Sequence, residues 1–350
     1  MKRYDPRLEY IEACAAKLVE LEYSNDVVAH NRNLEDQINT DPDMMDLQPE
    51  IQWYMRPYLI DFLIDSHYSM RLQPETLFLA ISILDRYCSV RVVFKKHYQL
   101  VGCTALWIAA KYEEKKSRIP QLKELCRLCC GAYEEDMFLQ MERHVLSTLE
   151  WSIGLPTVES FLSPLLAAAQ HTTSVVGHVA RYLCELSLFH RCFLGYPPST
   201  IATAAHAMAQ YMLGHLSSLP SGLTCHQIQC INYFTSFIKT PSASLTKKYS
   251  KPAYGQAAIH VQNILTQQAQ QQALAMPPTP PPVSMTMLTP PPPLSSGSGA
   301  SSPYTPESPT NSDHLTPPHT PSSMAMNRAY AKVQAIDPRY AYPHLEMDIA

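Results

Sequence analysis

The chain has 350 residues, 30 of them proline, and a formal net charge of −4 at pH 7. This length suffices for two ordinary domains with tails, and the charge lacks the basic excess that binds nucleic acid or an anionic membrane. No run of about 18 uncharged apolar residues predicts a transmembrane helix, and no apolar N-terminal stretch predicts a signal peptide. The ten cysteines are therefore expected to be reduced and buried, in a protein of the nucleus and cytoplasm.

Residues 1–49 are predicted to form an N-terminal arm with one helix. Asp5 is a suitable N-cap, and Pro6 is a suitable first residue because it lacks the N–H that a helix leaves unpaired there. Apolar residues then recur at helical spacing, so this helix needs a surface to pack on. The polar segment 31–45 is expected to be a loop.

Residues 50–152 are predicted to form five helices, with almost no strand signal. Pro74 and Glu75 mark the start of the second helix, whereas Pro57 is tolerable only near the start of the first. The third helix is apolar nearly all round, which is typical of a helix surrounded by others. The five helices are expected at about 51–67, 74–87, 96–112, 121–130 and 134–149.

Residues 153–240 are predicted to form a second helical group. Its third helix resembles the third helix of the first group, since both are rich in small residues and nearly uncharged. We therefore interpret the two groups as repeats of one all-α unit, on pattern rather than on residue identity. The helices of this second group are expected at about 156–168, 175–190, 200–213 and 224–238.

Residues 241–350 are predicted to form a regulatory tail, Gln/Ala-rich at first and then Pro/Ser/Thr-rich. Half of the 30 prolines lie in 277–323, a segment that cannot bury enough apolar area to offset its ordering entropy and is expected to be disordered. A sparse basic cluster near its start (Lys247, Lys248 and Lys251) is interpreted as a solvated linker.

No enzyme site is visible in the sequence. A chain with 10 glycines and no glycine-rich phosphate loop, no His-Glu-x-x-His and no Gly-x-Ser-x-Gly lacks the common catalytic motifs. Cys126 and Cys129 form one Cys-x-x-Cys, but no second pair follows, so core cysteines are favoured over zinc ligands. We expect no catalytic, cofactor or metal site.

Two charged residues, Lys111 and Glu142, lie among apolar neighbours in predicted core helices. Because most charged side chains lie on the surface, residue type alone favours solvated positions for Lys111 and Glu142, at the polar edges of their two helices. The alternative is that an apolar helix delivers the single cation of Lys111 to a partner.

Six short motifs between residues 48 and 151 together resemble the landmarks of the cyclin box in order and separation. The second helical group resembles the second cyclin fold, so the likeness covers about 50–240. The opening WYMRPY (53–58) and the proline-rich tail are most similar to fungal G1 cyclins. The six motifs are QPEI (48–51), MRPYLIDF (55–62), LDRY (84–87), AKYEE (110–114), MERHVL (141–146) and LEW (149–151).

The resemblance implies tandem five-helix folds and a subunit that binds and activates a cyclin-dependent protein kinase at the G1/S transition. Lys111 and Glu142 match the lysine and glutamate that, in cyclins, hold backbone groups of the kinase segment before its mobile C-helix. This contact positions the kinase's own Lys–Glu pair for phosphoryl transfer. Leu106, Phe78 and Leu146 are candidates for apolar kinase contacts.

The first-helix signature implies two further roles. Met55, Arg56 and Asp61 match residues that mainly brace the cyclin fold. Tyr58 and Phe62 stand where an aliphatic residue and a tryptophan are usual in the patch that reads substrate motifs. Substrate docking peptides with a different preferred motif are therefore expected.

Seven serines and threonines of the tail are each followed by proline, as proline-directed kinases require. Compositional coincidence is the plain alternative, but the density and the repeated LTPP (288–291 and 315–318) favour phosphorylation. The resemblance implies a phospho-degron read by an F-box-type ubiquitin ligase, and the arm lacks an Arg-x-x-Leu destruction box. The sites are Thr279, Thr289, Ser302, Thr305, Ser308, Thr316 and Thr320.

A different class of function is a transcription-related cyclin or a general-factor-like helical adaptor that contacts nucleic acid. Such a protein should carry a basic face, because phosphate neutralisation dominates nucleic-acid affinity. A net charge of −4 argues against it. The expected partners are a kinase, docking peptides and a ubiquitin ligase, with no nucleic acid and no membrane.

Overall fold

The computed structural model describes residues 5–38, 40–168 and 174–275, and the regular structure in these ranges is all helical. The described residues up to Ala269 belong to one compact unit. The all-α prediction is confirmed, whereas the predicted disordered segment lies outside the described residues. The helices are α1 (Pro6–Glu35), α2 (Pro42–Asp46), α3 (Arg56–Met70), α4 (Pro74–Val90), α5 (Lys95–Glu113), α6 (Leu122–Leu128), α7 (Glu135–Thr148), α8 (Val158–Ala168), α9 (Ser174–Ser187), α10 (Pro198–Met212), α11 (Cys225–Phe237), α12 (Ala243–Tyr249) and α13 (Ala257–Ala275).

Helix α5 is the centre of the first helical group, α3–α7. It packs against α3, α4 and α7, and every residue from 100 to 110 is buried. Small residues allow this close packing, since a Cβ built on Gly102 would lie 2.9 Å from the Leu59 side chain. The burial of apolar surface around one central helix is the main stabilising term of this group.

The first helix of this group starts later than predicted. A short 3-10 turn, Trp53–Met55, precedes α3, which begins at Arg56 rather than near residue 51. Pro57 therefore lies in the first turn, where its missing N–H costs no intrahelical hydrogen bond. The other helices of the group begin and end within about three residues of their predicted limits, an ordinary spread for helix ends.

Helix α10 has the corresponding central position in the second group, α8–α11. It packs against α8, α9 and α11, and its buried face is rich in alanine, with Ala202, Ala204 and Ala205 fully buried. Pro198 opens the helix. The carboxylate of Glu35, at the end of α1, caps it by accepting hydrogen bonds from the Ser199 backbone N–H and hydroxyl, both at 2.7 Å.

The packed body continues past residue 240, where the tail was predicted to begin. Helix α12 packs against α3 of the first group and α9 of the second, and it buries Leu245 and Tyr249. Lys248 is 3% exposed and its Nζ lies 2.5 Å from Glu185 Oε1, to which Tyr249 also donates a hydrogen bond. The prediction of a solvated linker was wrong for Lys248, because a buried partner on α9 satisfies its charge.

The N-terminal helix is longer than predicted. The Asp5 carboxylate accepts a hydrogen bond from the Arg7 backbone N–H at 2.9 Å, so the predicted cap is confirmed. The helix continues to Glu35 and α2 follows, where the sequence predicts a loop. Only part of α1 is packed: Leu8 and Leu18 on its first half are 55% and 67% exposed.

A buried histidine makes folding sensitive to acid. His67 on α3 is 2% exposed, and its Nε2 lies 2.7 Å from the Gln73 carbonyl oxygen. Burial, reinforced by the charge of Lys248, lowers the pKa of His67 from 6.5 to about 3. The folded pKa is depressed, so the stability from neutral His67 is complete above pH 6.5 and is lost as pH falls toward 3.

We expect the free energy of unfolding to fall by about 2 kcal/mol from this residue between pH 7 and pH 5. Urea unfolding of His67→Gln at the two pH values should show a correspondingly smaller loss than the wild type shows. His215→Gln, at an exposed position, is the control and should retain the wild-type dependence. An unchanged pH dependence in His67→Gln would contradict this role.

Candidate functional site

The predicted charged pair is present where the apolar helix α5 reaches the surface. Lys111 Nζ on α5 lies 2.6 Å from Glu142 Oε1 on α7, and the two side chains are 36% and 14% exposed. Because α5 and α7 pack directly on each other, this ion pair sits on a rigid base. One face of the pair remains open to solvent.

The Lys111 ammonium packs on the face of the Trp107 ring. Trp107 lies one helical turn before Lys111, is 6% exposed, and its indole Nε1 donates a hydrogen bond to the Pro120 carbonyl at 3.1 Å. Lys111 Nζ lies 3.2 Å from the centroid of this fixed ring, an arrangement that favours a cation electrostatically. The ammonium is therefore positioned by an aromatic face and a carboxylate before any partner arrives.

Glu114, the second acid after Lys111 in the AKYEE motif, has a structural role. Glu114 is 7% exposed, and its Oε1 accepts hydrogen bonds from the Gln73 backbone N–H at 2.5 Å and from the Thr76 hydroxyl at 2.9 Å. It thereby satisfies donors at the N-terminus of α4, where helices leave N–H groups unpaired. Glu114 thus fixes the end of α5 and does not add charge to the surface.

Two exposed aromatic residues lie near the charged pair in the chain, and neither is among the predicted site residues: Tyr112 directly follows Lys111, and Trp151 lies in the turn after α7. Tyr112 is 60% exposed and Trp151 is 68% exposed. The backbone N–H of Trp151 donates to the Leu146 carbonyl at 2.9 Å, and a Cβ built on Gly154 would lie against the Tyr112 hydroxyl. Both rings therefore belong to the surface formed by the ends of α5 and α7.

Trp151 has an unusual backbone. Trp151 and the preceding Glu150 have φ values of +61° and +51°, a left-handed conformation that side chains with a Cβ rarely adopt. The turn leaves the large apolar ring of Trp151 exposed to solvent just after α7, the helix that carries Glu142. Exposed aromatic side chains of this kind are typical of protein–protein interfaces. The sequence signal that could have identified Tyr112 and Trp151 as interface residues is their position within the AKYEE and LEW motifs.

The three apolar residues proposed as kinase contacts separate into two groups. Leu146 on α7 is partly buried and lies one turn after Glu142, at the edge of the same surface. Leu106 and Phe78 are 1% and 3% exposed and offer a partner almost no surface. The physical reason is that α4 and α5 are central helices, so their apolar side chains face the core in nearly every direction.

Arg56 of the first-helix signature joins the two helical groups. Its guanidinium is 2% exposed and binds both carboxylate oxygens of Asp85 on α4, at 2.5 and 2.8 Å. Its Nε donates to the carbonyl of Leu188, just after α9, at 2.8 Å. Asp61 is half-buried and faces Ser242 and Ser244, and burial raises its pKa.

An open, aromatic-rich pocket lies on the outer face of α3. Met55 and Phe62 are at its walls, and Tyr54 and Tyr58 are 64% and 75% exposed. Lys95 supplies the cationic edge of this pocket. It contains the two positions, Tyr58 and Phe62, at which the sequence departs from the pattern of the cyclin docking patch.

Metal-binding clusters, membrane-spanning helices and the proline-directed sites of the tail remain to be considered. No group of three or more His, Cys, Asp or Glu side chains in these ranges is placed to hold a metal ion. No helix in the described part of the chain combines the length and apolar character that crossing a bilayer requires. The seven proline-directed sites of the tail lie outside the described residues.

Comparison with known proteins identifies both helical groups. The model of the cyclin N-terminal domain matches residues 26–154, and that of the cyclin C-terminal domain matches residues 156–263. The chain is 51% identical over 230 residues to the G1/S-specific cyclin CCN1 of Candida albicans, covering 60% of this chain and 33% of the relative. It is 39% identical over 198 residues to the G2/mitotic-specific cyclin-B of Emericella nidulans, covering 56% and 40%.

A solved structure supports the fold. The viral cyclin from herpesvirus saimiri superimposes with a TM-score of 0.51 at 19% sequence identity, covering 64% of this chain and 97% of the viral one. The chain spans less than half the length of the two curated relatives above. Since the two domain models lie side by side over both helical groups, the chain belongs to the cyclin family.

Proposed function

We propose that this chain is a regulatory subunit that binds and activates a cyclin-dependent protein kinase, without catalytic residues of its own. The observation that carries the proposal is the preorganised pair of Lys111 and Glu142, whose charged atoms lie 2.6 Å apart at the surface. Two exposed aromatic residues, Tyr112 after Lys111 and Trp151 after α7, accompany it. A positioned cation and anion together with two exposed aromatic rings make a surface suited to a peptide segment of a partner protein.

The chemistry of this surface suits the backbone of a loop. The Lys111 ammonium can donate hydrogen bonds to carbonyl oxygens, and the Glu142 carboxylate can accept them from N–H groups, so the pair can hold a chain in one orientation. A kinase whose C-helix is fixed in this way keeps its Lys–Glu ion pair in place for phosphoryl transfer. The cyclin thereby favours the active conformer by binding it better than the inactive one.

The G1/S transition is the stage that we propose for this activity. The identity of 51% to a G1/S-specific cyclin exceeds that of 39% to a mitotic cyclin. The Pro/Ser/Thr-rich tail favours the same class. Action in the nucleus and cytoplasm is part of this proposal.

Trp151→Ala tests the proposed kinase surface. The ring is 68% exposed, so its removal should leave the fold stable, whereas loss of an aromatic anchor from an interface costs about 2 kcal/mol or more in affinity. Kinase captured on the variant, and its activity on a histone substrate, should therefore fall about 30-fold. Tyr211→Ala, an exposed aromatic on α10, is the matched control, and equal capture by both variants would refute the proposal.

The pocket around Tyr58 and Phe62 is the proposed site for substrate docking peptides. Its exposed aromatic walls can bury an apolar side chain, and Lys95 can pair with an acidic residue beside it. A peptide with an apolar anchor and a neighbouring acid is the chemistry that fits this pocket. Docking here would raise the local concentration of substrate near the bound kinase.

We propose that the tail controls turnover. Phosphorylation adds about −1.5 to −2 charges at each site and creates oxygens that an arginine cluster can read, as in an F-box-type ubiquitin ligase. Replacing the seven proline-directed residues by Ala should lengthen the half-life of the protein several-fold after synthesis is blocked. A variant with seven Ala substitutions at Ser and Thr not followed by proline is the control, and identical half-lives for both would count against the degron.

A further inference from the structure

A small apolar cluster separate from the main core brings two thiols into contact. It lies between α5, α6 and α7, and Cys103 Sγ and Cys129 Sγ within it are 3.4 Å apart. The two side chains are 1% and 3% exposed, and neither residue is in a disulfide. The cluster consists of Leu100, Cys103, Trp107, Leu125, Cys129 and Phe138.

The contact makes the two sulfurs chemically unequal. The hydrogen bond between the two sulfurs lowers the pKa of Cys129 and raises the pKa of Cys103. A thiolate is the form of cysteine that attacks an oxidant, so Cys129 is the sulfur prepared to react first. Cys103 keeps its proton and remains directly beside it.

Cys129 lies at the end of a short helix, close in sequence to cysteines that are exposed to solvent. It is the residue directly after α6, a helix of 7 residues with one buried residue, Leu125. Cys126, one turn earlier, is partly exposed, and Cys130 is exposed in a left-handed conformation with φ +54°. Local opening of such a short helix costs less than global unfolding, and it would expose Cys129 to small oxidants without loss of the fold.

We propose that Cys103 and Cys129 form a reversible intramolecular disulfide when the protein meets a peroxide. Hydrogen peroxide oxidises the Cys129 thiol to a sulfenic acid and is itself reduced to water. Cys103 sulfur then attacks Cys129 sulfur, and the sulfenic oxygen leaves with the Cys103 proton as a second water. The sulfurs must approach by roughly 1.4 Å from their present contact to reach bonding distance.

The disulfide would link the kinase-facing helix to its neighbour. Trp107 belongs to the same cluster, and its ring lies under Lys111. A bond from α5 to the end of α6 would therefore restrict the motion of the cluster that contains Trp107, on whose ring Lys111 packs. Disulfides in reducing compartments are commonly transient and redox-sensing, which is the behaviour expected of this pair.

Mass spectrometry of the full chain tests the proposal. After hydrogen peroxide treatment of the folded protein, free thiols are alkylated and the protein is digested with trypsin. We expect peptides 97–111 and 128–143 to be joined, and dithiothreitol to separate them. Because the second peptide also contains Cys130, the experiment is repeated with Cys130→Ser, in which the link should persist.

Single variants identify both partners. Cys103→Ala should abolish the link and leave Cys129 as a sulfenic acid that dimedone traps, and Cys129→Ala should abolish both the link and the trapped species. Cys88→Ala, a buried cysteine on α4, should retain the link. Thermal unfolding by circular dichroism checks each fold. Full alkylation of Cys103 after peroxide treatment, or a link that survives in Cys129→Ala, would overturn the proposal.

Discussion

Lys111→Glu is expected to reduce activation of the partner kinase by at least about 100-fold. Truncating one member of a buried charged pair at an interface costs roughly 2–5 kcal/mol, and reversal adds repulsion from the partner carbonyls that the ammonium would bind. The new carboxylate would also face Glu142, whose Oε1 now lies 2.6 Å from Lys111 Nζ. Phosphorylation of a histone substrate by a kinase mixed with excess cyclin measures this loss directly.

A double charge exchange separates recognition of the partner from the internal ion pair. Lys111→Glu with Glu142→Lys restores opposite charges within the cyclin, so the thermal stability lost in either single variant should largely return. Donor and acceptor are then interchanged relative to the partner backbone, so kinase activation should not return. If the double exchange restored activation, the ion pair would serve the cyclin fold alone.

An ion cluster at the surface, formed by residues of other elements, supplies the control for these variants. Arg191 lies 2.8 Å from Asp43 and 2.7 Å from Asp46, and its side chain is 41% exposed. Arg191→Glu changes the net charge as Lys111→Glu does, at a site on the connection between α9 and α10. We expect its kinase activation to remain within about threefold of the wild type, as is usual for exposed pairs.

Helical periodicity predicted those parts of the fold in which apolar residues alone decide the packing. Helix α5 is buried from residue 100 to 110, and its run of apolar and small residues has no other reasonable interpretation. Helix α12 escaped prediction for the opposite reason. Its buried face includes Lys248. The burial of this charge depends on Glu185 of α9, which is far from Lys248 in the sequence but in contact with it in the fold.

The candidate site was predictable in its charges but not in its exposed apolar residues. Lys111 and Glu142 were identified through the motifs that surround them, and they lie in contact as a pair. The residue type of a tryptophan does not tell whether its side chain is exposed or buried. Trp107 is 6% exposed and Trp151 is 68% exposed, and the difference arises from the left-handed turn that follows α7, which no periodicity reveals.

Arg56→Met is expected to destabilise the folded chain by about 3–5 kcal/mol. Arg56 is 2% exposed, and its loss leaves the carboxylate of Asp85, itself 6% exposed, without a counter-charge. A buried charge with its partner removed is among the most destabilising changes in a protein interior. The Leu188 carbonyl would also lose its donor at the junction between the two helical groups.

Removing both charges should recover most of this loss. In Arg56→Met with Asp85→Leu neither position carries an unpaired charge, and apolar side chains of similar volume often replace a buried ion pair at little cost. Urea unfolding of the single and double variants gives the coupling energy by a double-mutant cycle. Arg191→Met, at the surface, controls for loss of an arginine. A double variant no more stable than Arg56→Met would mean that the Leu188 contact dominates, so that Arg56 joins the two helical groups mainly through a backbone carbonyl rather than through its ion pair.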